Sequence, residues 1–504
     1  MIIYQPAAQV LKLRFLGLLL RSWVRKMRFP LDRIGVATAN GRVVTNREGI
    51  STVIVPDALP GIKTFLKPAN WGKTSRDLAI RCVAAFCLHW GRMSTVQAAG
   101  VVRSEPRHRA QIGRFLGRKQ LRNRQLLSGL QAQVLASEDP LGRFLFILDQ
   151  TLCSQQGDKT ENTFSTGNRQ RRPRKGRRHS KYQHARKMCH CFVMGLLIAP
   201  SGVRIPFRRS YYTKEYCQKT GREYRKQTDL AAEMIRDLPL PNGAKVVVLG
   251  DTAFDAQVIR KACEARTYSW IVPMNPERVL GGPKPRPQVK SLAKELTAEQ
   301  FATLRLVPNR GDSVAQRRPS VSRSGPNVKP RIYYAYSEIR DVHSVGKVRL
   351  VFSTRERPQA NRPPVVQKIL MASDATLSVA AIVEWYDLRW QIELFFKELK
   401  STLGWDQYRF RRFERVEGWL ELALVTFLYL EWYRARQVKR AGLTPEQRER
   451  WRRQRTHGLC VILRRQTEET DLDYIARALK TPGGIRRLRR QLKEATQAEY
   501  RVAH

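Results

Sequence analysis

Three carboxylates and a row of cations at helical spacing are the residues of this chain best suited to chemistry. Asp149 follows directly on the apolar run 144–148, and Asp251 follows the run 245–249 after Gly250. Such runs predict β-strands, so each carboxylate is expected at a strand end, the edge of an α/β sheet where ligands bind. Two carboxylates brought together repel unless a cation joins them, and their hard oxygens suit Mg2+. Taken singly, either aspartate serves equally well as a turn residue or a helix cap. The segment 381–400 supplies a third carboxylate, Glu393. Read as one helix, it carries an apolar stripe of Leu388, Ile392, Phe395 and Leu399. A second stripe of Tyr386, Arg389, Glu393, Lys397 and Lys400 lies about 110° away at about 100° per residue. One face would anchor the helix while Tyr, Arg, Glu and Lys project together. Arg389, Glu393 and Lys397 also suit a solvated ion-pair ladder worth about a few tenths of a kcal/mol.

A sheet and its helices must hold these groups. From Gly142 onward the pattern is α/β. A loop after Asp149 leads to strands expected at 191–198 and 203–207 and a helix at 225–237. The strand 245–249, a helix at 254–264 and a strand at 268–272 follow. Residues 276–375 interrupt this order with early Pro and Gly and strand-like runs at 303–307, 331–336 and 348–353, which read as an inserted β-rich subdomain. Helical periodicity resumes near Leu377, and the apolar block 420–430 reads as a buried helix too short to span a bilayer. Residues 1–140 read as helical: 10–29, then a helix capped by Ser75 and reaching Trp90, a short one from Ser94 to Gly100, and a basic one from Arg107. The last three fit a helix-turn-helix whose final helix, with Arg107, Arg109 and Arg114, enters a major groove; they also fit an ordinary three-helix bundle with a basic surface. The expected organisation is a helical DNA-binding region (1–140), an α/β core in two parts (141–275 and 376–436) around the insertion (276–375), and a basic helical tail (437–504).

Charge points to the partner. The 504 residues hold 93 Lys and Arg against 43 Asp and Glu, a formal charge of +50. A chain this basic calls for a polyanion, and nucleic acid rewards each neutralised phosphate with counterion release. A hydrophobic content of 42% is enough for packed cores and excludes a wholly disordered basic tail protein. The stretch 168–187 has ten Lys or Arg and no acid, among them Arg171, Arg172, Arg174 and Lys175. Joined to the strand that carries Asp149, it reads as a phosphate-binding loop beside the catalytic edge, with a merely solvated segment as the alternative. The eight cysteines form no paired C-x-x-C arrangement. Cys189-His190-Cys191 heads an apolar run, and on a strand His190 would point away from both thiols. These signals, with no apolar run long enough for a signal segment, predict a soluble protein of the reducing cytoplasm with no membrane partner.

The pattern Tyr386-x2-Arg389-x3-Glu393-x6-Lys400, inside YDLRWQIELFFKELK, resembles the Y-R-E-K signature of DDE transposases from bacterial insertion sequences. The likeness covers about residues 141–435. It implies an RNase H-like mixed-sheet core with a β-rich insertion between the second aspartate and the glutamate. The separations fit, with 102 residues between the aspartates and 142 from Asp251 to Glu393. The resemblance implies Asp149, Asp251 and Glu393 as catalytic triad and as ligands of two Mg2+ ions, with Mn2+ as a substitute. Such ions, about 3.5–4 Å apart, stabilise both attacking and leaving oxygens of a phosphodiester. It further implies that Tyr386, Arg389 and Lys400 contact DNA phosphates near the cut, with Lys397 as a possible addition. The implied partners are double-stranded DNA, both terminal inverted repeats and target, and a second copy of the chain assembled on DNA in a bacterial, nucleoid-associated setting. Two other functions compete: a catalytically silent DNA-binding derivative, and a Mg2+-dependent nuclease without strand transfer. Some relatives set an aromatic from the insertion against a flipped base. No Trp lies between Val272 and Glu384, which leaves Tyr333, Tyr334 or Tyr336, with core packing as their competing role. Asp255 is read as structural.

Overall fold

The computed structural model describes residues 60–67, 71–88, 107–155, 159–166, 187–283, 286–306, 331–440, 476 and 479–486. The expected helices at 10–29 and 94–100 lie outside the described residues. So do Arg171, Arg172, Arg174 and Lys175 and nearly all of the basic tail. The strands are β1 (Arg143–Gln155), β2 (Phe164–Thr166), β3 (Lys187–Ile198), β4 (Arg204–Ser210), β5 (Lys245–Leu249), β6 (Ser269–Pro273), β7 (Ala302–Leu306), β8 (Arg331–Val342), β9 (Gly346–Thr354) and β10 (Lys368–Ala372). They join in one mixed sheet, with β2 and β4 both on β3, followed by β1, β5, β6, β10, β9, β8 and β7. Strand β3 is antiparallel to both β4 and β1, while β5 and β6 run parallel to β1. That is the order of an RNase H-like core.

Strand β10 is what ties the insertion in. It pairs antiparallel with β6 on one side and β9 on the other, so β7–β9 prolong the core sheet edge to edge. Its five residues, KILMA, carry too short an apolar run to be distinguished by sequence from a buried helical segment. One expectation needs correction here. Strand β1 does not stop at Leu148: it runs to Gln155, and Asp149 is an interior strand residue. The polar stretch after Asp149 is kept extended by β3, which pairs with β1 as far as Gln155↔Met188.

Helices cover the sheet. Between strands lie α6 (Lys214–Thr220), α7 (Gln227–Arg236), α8 (Gln257–Ala265) and α9 (Val289–Glu295), followed after β10 by α10 (Val379–Asp387) and α11 (Gln391–Lys397). A long helix α12 (Phe413–Arg440) buries the whole block 420–430. No helix among the described residues is long and apolar enough to cross a membrane. The N-terminal helices α1 (Pro60–Phe65), α2 (Lys73–Leu88), α3 (Arg107–Leu116), α4 (Lys119–Arg122) and α5 (Gln125–Leu135) pack along α12. Phe65 meets Tyr429 and Trp432, and Phe86 meets Trp419. Helix α3 approaches so closely that a Cβ on Gly418 would lie 2.0 Å from the Leu116 carbonyl oxygen. Ile112, Phe115 and Leu116 form its buried side, and Arg114 is exposed. Ser75 is not a cap, because α2 begins at Lys73; its hydroxyl instead accepts from Arg118.

Candidate active site

The parallel pairing of β1 with β5 ends at Ile147↔Leu249. Asp149 and Asp251 both stand two residues beyond that last rung, at equal height on neighbouring chains. They differ in backbone. Asp149 continues as strand, whereas Asp251 enters a turn and caps a 3-10 turn at Thr252–Phe254, accepting from the Ala253 N–H at 2.9 Å.

Asp149 is buried, its side chain only 10% exposed. Burial pushes its pKa up, the Gln150 N–H at 2.7 Å opposes that, Glu393 and Asp251 raise it further and Arg389 lowers it, leaving it at about 6. Glu393 and Asp251 both act on the Asp149 carboxylate, so acids from β1, the turn after β5 and α11 face one neighbourhood. Arg389 stands between two of them, with Nη1 3.5 Å from Asp149 Oδ2 and Nη2 3.9 Å from Glu393 Oε1. Those lengths are charge contacts rather than good hydrogen bonds. Among the described residues no three His, Cys, Asp or Glu side chains are gathered closely enough to hold a metal ion.

The helix expected over 381–400 is interrupted twice. Helix α10 gives way to a 3-10 turn at Leu388–Trp390, and α11 passes into a π-helical turn at Glu398–Thr402. Such widened turns recur at functional sites. Arg204 of β4 holds Glu398 at 2.9 Å and Glu431 of α12 at 2.7 Å, which fixes that turn against the core. Within that turn, Lys400 Nζ donates to the Leu152 carbonyl at 3.0 Å, tying the signature lysine to β1. Lys397 is exposed.

Tyr386 does not project freely with the charged stripe as its spacing suggested; it is buried. The Lys368 ammonium covers its ring at 4.7 Å. Burial pushes the Tyr386 hydroxyl up to about 12 despite Arg389 beside it. Lys368 itself is lowered by burial and then by the nearby guanidiniums of Arg389 and Arg355.

Two residues near the site escaped sequence reasoning. Lys368 opens a strand that was not foreseen, and its only signal was a cation before an apolar run. Asp387 joins the insertion to the signature segment, accepting from Arg331 and from the Tyr333 hydroxyl, each at 3.0 Å. Tyr333 is therefore spent on this joint, while Tyr336 packs on Phe301 and Phe352. Asp255 pairs with Arg260 and with Arg278 at 2.6 Å, a structural clamp. His190 is buried with both ring nitrogens engaged, by the Tyr408 hydroxyl at 2.7 Å and the Glu161 carbonyl at 2.8 Å. The DNA-binding candidates Arg107 and Arg109 lie on α3, apart from the carboxylates in sequence and element.

Two family models match the chain. One, described as a transposase DDE domain, covers residues 216–429; the other, a DDE superfamily endonuclease, covers 71–297. Asp251 falls in both, Asp149 in the second and Glu393 in the first, so the matches together span all three carboxylates. Both matches support a DDE-type transposase. No individual curated protein matches it. The matches support a transposase-like, nucleic-acid-cleaving function, the transposase family implies a DNA substrate, and enzymes of the DDE superfamily generally depend on divalent metal.

Proposed function

We propose that this chain cuts DNA at the ends of a mobile element and joins those ends to target DNA, using Asp149, Asp251 and Glu393 as Mg2+ ligands. The observation that carries the reading is Asp149 and Asp251 at equal height on neighbouring chains, with Arg389 lying between Asp149 and Glu393. The donor set fits the metal in kind, since every ligand is a hard carboxylate oxygen and their mutual repulsion is relieved by a cation. When bound, divalent ions supply charge stabilisation to the attacking and leaving oxygens of an in-line displacement.

The chain's own groups do the remainder. Asp149, at about 6, is mostly ionised at neutral pH and free to act as a ligand once Arg389 turns to DNA. Arg389, Tyr386 and Lys400 serve as phosphate contacts that hold the scissile bond over the carboxylates, with Arg389 suited to a bidentate grip. Water attacks phosphorus and the P–O3′ bond breaks, leaving a 3′-hydroxyl on the element's end. That hydroxyl then attacks a target phosphorus and displaces the target's own 3′-oxygen. Arg107, Arg109 and Arg114, with Arg171, Arg172, Arg174 and Lys175, extend the DNA contact. Two copies of the chain act on two ends, each reading one end and cutting the other. The test is incubation of the purified chain with end-bearing duplex, target DNA and Mg2+. Nicked and joined products support the proposal, nicks alone indicate a nuclease, and binding without cutting indicates a silent derivative.

A further inference from the structure

A polar cavity of about 360 Å3 opens at the β4 side of the sheet, outside the site just described. Its wall gathers five guanidiniums, Arg124, Arg208, Arg209, Arg222 and Arg225. Arg208 is in register with Met194 on β3 and through it with Asp149 on β1. Two strand spacings, about 10 Å, therefore separate its backbone from that of the catalytic carboxylate.

Three acids share the wall, and each is engaged through at least one oxygen, Glu417 Oε2 being buried without a partner. Glu233 pairs with Arg209 at 3.1 Å and Arg225 at 2.6 Å, and Glu223 with Arg225 at 2.8 Å. Glu417 accepts from the hydroxyls of Ser210 and Tyr212 at 2.8 and 2.9 Å. Arg124 and Arg222 form no ion pair among the described residues. Arg124 donates to the Arg208 carbonyl at 2.8 Å, and Arg222 donates to the Tyr212 hydroxyl at 3.0 Å while lying 4.6 Å over that ring. Arg208, 1% exposed, donates to the Ser210 hydroxyl at 2.6 Å and the Glu417 carbonyl at 3.5 Å, its buried Nε has no partner, and its one ion pair is a long contact with Glu421 at 3.9 Å. Burial pushes Glu421 up to about 7, which weakens even that compensation.

A second, independent feature is the backbone at Arg124. Its φ of 59° puts a non-glycine residue in the left-handed region just before α5. Residues held so tend to be over-determined by their surroundings and cluster at ligand sites. Burial, then repulsion by Arg209 and Arg208, lowers the Arg124 pKa to about 10. Arg209 and Arg225 are spent on Glu233, Asp237 and Glu223, which leaves Arg124 and Arg222 without an ion pair among the described residues and suited to an anion. Their planar forks match phosphate oxygens in pairs.

We propose that this cavity is a phosphate-binding site, in which Arg124, Arg208 and Arg222 hold one phosphate group. The phosphate comes from the backbone of bound DNA, a source that rests on the function proposed above, or from a free nucleotide, for which the cavity has room. Calorimetric titration of the full chain with dAMP and with inorganic phosphate, beside salt-dependent binding of duplex DNA, separates the two. The variants are Arg124→Gln and Arg222→Gln, with circular dichroism to confirm folding. A free-nucleotide site gives dAMP binding that weakens about tenfold in each variant, with DNA binding unchanged. A backbone site gives no dAMP binding, an about tenfold loss of DNA affinity, and a slope of log K against log salt reduced by about 0.9. Unchanged dAMP, phosphate and DNA binding in folded variants overturns the proposal. Should Arg124→Gln not fold, Arg222→Gln, which is not fully buried, decides alone. None of these readouts needs cleavage, so a chain that binds but never cuts refutes the proposed function and leaves this site standing.

Discussion

Replacing Asp149 by Asn should make the protein more stable while abolishing its activity. The side chain is buried and its pKa is raised from 3.8 to about 6, burial being the largest cause. A shift of about two units, at about 1.4 kcal/mol per unit, means that ionised Asp149 costs the fold about 3 kcal/mol. The sign follows from where the proton sits. The folded carboxyl keeps its proton to higher pH than the unfolded one, so stability falls as pH rises from about 4 to about 6, and the loss is complete above that. Asn has the same shape, carries no charge and keeps an acceptor for the Gln150 N–H. The attraction of Arg389 at 3.5 Å is already contained in the value near 6, so its loss needs no separate subtraction. Urea unfolding in EDTA should therefore show Asp149→Asn more stable by about 2–3 kcal/mol at pH 7.5, with the advantage shrinking towards zero near pH 4. A variant no more stable than the parent at pH 7.5, or an advantage independent of pH, would refute the reasoning.

Further outcomes follow from the same geometry. Arg389→Gln removes the cation lying between Asp149 and Glu393, so calorimetry without DNA should show tighter Mn2+ binding while affinity for end DNA drops; weaker Mn2+ binding would contradict that placement. Lys368→Ala uncovers the Tyr386 ring and should reduce the salt slope of DNA binding by about one contact, with Lys368→Arg restoring it; an unaltered slope would confine Lys368 to packing. Gly418→Ala sets a Cβ against the Leu116 carbonyl and should lower stability by about 1–3 kcal/mol in urea titration; a neutral result would mean that α3 is free to shift.

The catalytic segment was legible because Tyr386, Arg389, Glu393 and Lys400 are four polar types at set spacing on an otherwise apolar-faced helix. What surrounds them was not. The burial of Tyr386 depends on Lys368, which reaches it from a five-residue strand distant in sequence. The two interruptions of the helix leave no Pro or Gly to announce them; the second is held by Arg204 of β4 through Glu398. The apolar run before Asp149 correctly indicated a strand. Its continuation to Gln155 is polar and alternating, and only pairing with β3 distinguishes it from a loop. In the N-terminal region the periodicity of 75–90 was readable, whereas α5 was not foreseen; its buried face, Leu126, Leu127, Leu130 and Val134, is defined by packing near α12.

The central claim is that Asp149, Asp251 and Glu393 together perform metal-dependent cleavage. Its most direct test is strand nicking of end-bearing duplex DNA by the parent chain and by Asp149→Ala, Asp251→Ala and Glu393→Ala, in Mg2+ and in EDTA, with DNA binding measured in parallel. The account predicts nicking by the parent in Mg2+ alone, none by any variant, and end-DNA affinity close to the parent's in all three. Undiminished Mg2+-dependent nicking by any one of them would remove that residue from the triad, and nicking by the parent in EDTA would contradict the account as a whole.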